Sequence, residues 1–130
     1  MLELLVFLRG AHYWLSRLGL GAAIVMFLAA FFIGVIRKGD VTPLYRKLTV
    51  AVAGLMAVQT VIGAVMYFFL STRPGQEVHL IYGLGMTLAL PFFIFVEKTA
   101  EKRPAMGSYI WGFAVLIGII FRGMMTGAAA

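Results

Sequence analysis

The chain contains two histidines, His12 and His79, and no cysteine. His79 opens the stretch EVHLIYGLGMTLALPFFIFVEK, an apolar run fenced by charge at Glu77 and Lys98. Gly83 follows four residues later, one helical turn further in on the same face. Neutral imidazole is a good ligand for iron, copper and zinc, and an ionisable group inside a membrane segment is functional by default. A histidine with a glycine beneath it leaves room for a large, flat ligand. Two imidazoles approaching such a ligand from opposite sides are what six-coordinate haem iron requires. The absence of cysteine excludes disulfides, thiolate-ligated haem, iron–sulfur clusters and covalent haem attachment through Cys-x-x-Cys-His.

The elements that must position these groups are membrane spans. The 130 residues are 62% hydrophobic and 12% charged, with mean hydropathy +0.99, too apolar for a soluble domain of this size. The net charge of +6 sits in basic residues that flank apolar runs, a membrane signature and not a nucleic-acid one. The expected fold is an all-α, up-down-up-down four-helix transmembrane bundle, a single domain with spans near residues 14–36, 44–70, 78–97 and 108–127.

Met1 to Trp14 is amphiphilic and suits the interface or an outward extension of the first helix. The N-terminus reads as part of a span and not as a cleaved signal. Gly19, Gly21, Ala22 and Ala23 make the first helix thin. Thr42 followed by Pro43 reads as N-cap and first helical position. Gln59 and Gly63 lie mid-way along the second span. STRPGQ at 71–76 is a turn, Pro91 kinks the third span, and Pro104 and Ser108 start the fourth. No repeat or linker is evident.

Four spans put both ends on one side. The loops hold Arg37, Lys38, Arg46, Lys47, Lys98, Lys102 and Arg103, whereas the terminal side holds Arg9, Arg17, Arg73 and Arg122. The positive-inside rule places the loops in the cytoplasm and both termini outside a bacterial or archaeal cytoplasmic membrane. His12 and His79 then share the outer half. Arg17 is about level with His79, and Arg17 and Arg122 are candidates to neutralise haem propionates, while Gly19 and Gly83 give the ring clearance. Counted from the inner span ends at 1.5 Å per residue, His12 stands about six residues, roughly 9 Å, further out than His79.

Plainer readings stand beside these. His79 is also a reasonable interfacial histidine, and His12 belongs with Tyr13 and Trp14 to an aromatic belt. Gln59 with Gly63 reads as helix–helix glue, the eight methionines as packing, and Arg17 and Arg122 as snorkelling charges.

The order AHYWLSRLG, basic loop, VQTVIGAVMYF, EVHLIYGLG resembles the haem-bearing helices of one half of a haem A synthase and, more broadly, small bis-histidine b-type membrane cytochromes. The resemblance covers His12 to about Val96 and implies that His12 and His79 ligate haem. The chain departs from that family in having one histidine pair and four spans, half of a complete enzyme. It also lacks the family's acidic outer loop, so the resemblance does not extend to haem hydroxylation. The expected function is a haem b membrane cytochrome passing electrons at the outer side, with a quinol or a larger respiratory or photosynthetic complex as partner, and self-association open. Haem sensing or delivery is a variant of it. The alternative is a haem-free accessory subunit packed against a larger complex or copies of itself. A channel or transporter fits less well, because the spans lack an acidic lining.

Overall fold

The computed structural model describes residues 1–99 and 106–128. Helix α1 spans Leu2–Phe31 and runs on through a π-helical turn, Phe32–Ile36. Helix α2 spans Pro43–Phe68, α3 His79–Thr99 and α4 Met106–Ala128. All four are long and apolar enough to cross a membrane. They pack α1 on α2, α2 on α3, α3 on α4 and α4 back on α1, so α1 faces α3 only across the bundle diagonal. The result is the expected all-α four-helix bundle. Helix α1 starts at Leu2, so the amphiphilic N-terminal stretch extends the first helix. Lys102, Arg103 and Pro104 lie outside the described residues, and α4 is already helical at Met106.

On α1, α2 and α4 the buried positions step by three and four. They are Gly19, Ala23, Met26 and Ala30 on α1; Tyr45, Thr49, Val52, Met56 and Gln59 on α2; and Met106, Tyr109, Phe113, Leu116 and Ile120 on α4. That spacing makes one narrow inward stripe per helix and leaves the remaining faces to lipid. Large α4 side chains meet small α1 ones: a Cβ added at Gly34 would stand 2.8 Å from Met106 Cβ. Gly112 is as tightly placed, with Phe93 Cβ 3.0 Å away. Gly19 lies against the end of the Met56 side chain, so its missing Cβ serves the α1–α2 contact. Gly21 faces open space, and the thinness of that stretch is used on one side only.

Local chemistry ends the helices as the sequence reading anticipates. Tyr45 N donates to Thr42 Oγ1 at 3.1 Å, with Pro43 at the first helical position. Pro91 sits inside α3, where it can donate no helix hydrogen bond. At the loop end, the Tyr45 hydroxyl donates to Met26 O at 2.7 Å. Arg46 meets the Glu97 carboxylate at 2.7 Å, with the Glu97 side chain 1% exposed and Arg46 40%. These two links tie α1 to α2 and α2 to α3.

The Tyr45–Met26 bond also explains why counting along the helices misplaces His12. Met26 is level with the start of α2, yet it lies ten residues before Ile36. Helix α1 overshoots its neighbour at the loop end, so its inner end is no reference level for the other spans.

Candidate functional site

His12 and His79 face each other across the bundle diagonal. Their ring centres are 6.1 Å apart with planes at 75°. Both line a cavity of about 460 Å³ at the end of the bundle where α1 begins and α4 ends. That volume is in the range of ordinary small-molecule pockets, about 300–1,000 Å³. The separation of roughly 9 Å along the axis obtained by counting does not hold: the two imidazoles share one level.

Each ring lies over a glycine of a neighbouring helix. A helical carbonyl points along the axis toward residue i+4, and a glycine there uncovers it to a side chain from outside. His79 Nδ1 lies 2.8 Å from Gly123 O and 3.2 Å from Thr126 Oγ1. A Cβ on Gly127 would stand 2.8 Å from His79 Cε1, so only glycine fits beneath the ring. On the other side, a Cβ on Gly63 would stand 3.1 Å from His12 Cε1. His12 Nδ1 is buried and has no hydrogen-bond partner among the described residues. Gly63 thus lies beneath His12 as Gly127 lies beneath His79, but only His79 bonds a carbonyl of the neighbouring helix.

The Gly123–Gly127 seat is braced from below. Gly75 N donates to Gly127 O at 3.3 Å and Gln76 N to Thr126 O at 3.0 Å. The Pro74–Gly75 turn thereby caps carbonyls that the end of α4 leaves free. The backbone of His79 is held in turn by Gln76 O at 3.0 Å.

Gln59, 2% exposed, donates from Nε2 to the His12 backbone carbonyl at 2.7 Å. The glue reading of this residue is therefore realised as a tie from α2 to α1. Its Oε1 is buried without a partner among the described residues, and the side chain lines the cavity. Thr60, also on the wall, donates to Gly83 O at 3.2 Å and shares a short hydrogen bond with Thr87.

Arg17 is on the cavity wall, its guanidinium carbon 3.5 Å above the Tyr13 ring centre and one nitrogen 3.0 Å from Ser16 Oγ. Gly83 also lines the cavity, with nothing within 4 Å of where its Cβ would be. The structure therefore brings His12, His79, Arg17 and Gly83 together. Gly19 faces Met56, and Arg122 is exposed and is not among the residues of the cavity wall. Arg9 and Arg73 stand at the cavity instead, and neither was singled out from the sequence. Arg73 lies in the α2–α3 turn, where Tyr67 first and Glu77 second hold its guanidinium above the usual arginine range. Of the two glycines beneath the rings, Gly63 stands out in the sequence through its pairing with Gln59 one turn earlier, whereas Gly127 does not.

Among the described residues, no three His, Cys, Asp or Glu side chains gather as a metal cage. Comparison with protein-family models, with curated proteins and with solved structures returns no match.

Proposed function

We propose that this chain is a haem b-binding membrane protein in which His12 and His79 are the two axial ligands, and that it carries electrons. The observation that supports this reading is the distance between the rings. Two imidazoles bonded to opposite sides of one metal at about 2 Å each have ring centres about 6 Å apart. The rings here stand 6.1 Å apart over a cavity. The His79 Nδ1 contact to Gly123 O leaves Nε2 free, and in the tautomer with hydrogen on Nδ1 that contact also raises the basicity of Nε2. The unpartnered His12 Nδ1 leaves the same tautomer open on the other side.

When bound, the haem supplies a one-electron iron couple. The chain's part is to fix both imidazoles on glycine seats, so that neither ligand needs to move when charge arrives. The apolar wall, including Met86, Ile119 and Ile120, keeps water away. Arg17 neutralises a propionate near the mouth. The basic residues at the loop end favour an orientation with the loops in the cytoplasm, which places the site in the outer half of a cytoplasmic membrane. A quinol or a larger respiratory or photosynthetic complex is the corresponding redox partner.

The test is a visible spectrum of the full chain in detergent, oxidised and then dithionite-reduced. Sharp α and β bands on reduction, lost in His12→Ala and in His79→Ala, are the expected result. A reduced spectrum without resolved bands indicates one ligand only and favours haem sensing or delivery. No Soret band after expression with supplied haem sinks the haem reading and leaves a haem-free accessory subunit.

A further inference from the structure

The mouth of the cavity carries more positive charge than one propionate clamp needs, and one part of it is already engaged by a carboxylate of the chain. Arg73 Nη1 donates to Tyr67 Oη at 2.9 Å and to Glu77 Oε1 at 3.2 Å. The Tyr67 hydroxyl donates to Glu77 Oε2 at 3.4 Å. A guanidinium and a phenol thus hold the two oxygens of one carboxylate. Tyr67 and Arg73 line the cavity, whereas Glu77 does not. The Glu77 and Arg73 side chains are 62% and 68% exposed, so this ion pair is weak and exchangeable. Arg9 and Arg17 approach the same cavity from α1 and make the mouth positive on both sides.

We infer that Tyr67 and Arg73 form a carboxylate seat at the cavity mouth, that Glu77 fills it before a ligand enters, and that a carboxylate of the entering ligand displaces Glu77. This rests on the haem reading of the cavity, and the ligand carboxylate is then a porphyrin propionate. Arg17, held over Tyr13 and bonded to Ser16, receives the second propionate from the α1 side. Tyr67 and Arg73 would hold the acidic edge of the bound group, and Met86 and Ile120 would face its apolar part. Glu77 acts as an internal competitor that keeps Arg73 paired until the ligand arrives. The turn that carries Arg73 also caps α4 beneath His79, so the carboxylate seat and the His79 seat are adjacent.

The test is a titration of the full chain in a non-ionic detergent, where no lipid phosphate competes. The two probes are ferric protoporphyrin and its dimethyl ester, which keeps the ring and iron and removes both negative charges. The ratio of the two affinities is compared between variants in the same detergent, so that partitioning of each probe into micelles cancels. Glu77→Gln is expected to tighten the free acid about two- to fivefold, the range of an exposed ion pair, and to leave the ester unchanged. Arg73→Gln and Tyr67→Phe are expected to weaken the free acid selectively. Glu3→Gln removes the same charge near the same end without touching the seat and is expected to leave the ratio alone. An unchanged ratio in Glu77→Gln and Arg73→Gln overturns the seat, and so does a Glu3→Gln effect equal to that of Glu77→Gln. Failure of both probes to bind the wild-type chain overturns the haem reading itself, and the seat with it.

Discussion

Glycine decides the geometry of this site at the residue scale, and it does so in two different ways. Gly63 and Gly127 lie under the histidine rings, where a methyl group would meet the imidazole directly. Gly127→Ala is expected to abolish the bis-histidine spectrum, because His79 must leave its seat. Gly63→Ala is expected to do so less completely, since its Cβ has 3.1 Å against 2.8 Å. The haem-to-protein ratio and the reduced spectrum check both. Gly83 is different: a side chain there touches nothing in the protein itself. Gly83→Leu should therefore leave thermal unfolding of the haem-free bundle unchanged and block haem loading by filling the cavity. A variant that loads haem normally would show that the ring does not lie on this face of α3.

The same atoms gain their meaning from the elements that carry them. The end of α4 supplies Gly123, Thr126 and Gly127, which hold His79 and receive the α2–α3 turn. Truncation after Arg122 removes that seat and the carbonyls that Gly75 and Gln76 bond. It is expected to leave a membrane-inserted chain with a five-coordinate or haem-free spectrum. Helix contacts make a second prediction. Gly34→Leu and Gly112→Leu insert bulk where a Cβ already has 3.0 Å or less, and overpacking of this kind costs about 1–3 kcal/mol. Gly21→Leu, which faces open space, should be silent in the same thermal unfolding assay.

For the molecule as a whole, the two ends of the bundle are built differently. The site end is a cavity closed by turns and glycine seats, whereas the loop end is locked by the Tyr45–Met26 bond and the Arg46–Glu97 pair. Arg46→Ala leaves the Glu97 carboxylate buried and unpaired. The expected loss is about 1–3 kcal/mol, less than for a fully enclosed pair because Arg46 is partly solvated. Recovery in the Arg46→Ala, Glu97→Leu double variant, read by unfolding in detergent, would identify the buried charge as the cause. Orientation is testable because the chain has no cysteine of its own. Asp40→Cys should be protected from an impermeant thiol reagent in intact cells, and Ser71→Cys should react. The reverse labelling would put the site in the inner half of the membrane.

The class of fold is legible in the chain before any packing is known. Four long apolar runs, their basic flanks and a Thr42–Pro43 helix start are local features, and lipid forces such runs to satisfy their backbone as helices. The sequence also nominated His12 and His79, because an imidazole among apolar residues stands out in composition alone. Only the tertiary structure decided that the two rings share a level. That depends on how far α1 slides past α2, a quantity set by the Tyr45–Met26 bond and by large-into-small packing between helices, and no count along one helix contains it. The seats at Gly63 and Gly127, the exclusion of Gly19 and Arg122 from the cavity wall, and the arrival of Arg9 and Arg73 there share the same cause. Which face of a helix meets a cavity is fixed by its neighbours, and residues far apart in the chain become neighbours only when the bundle closes.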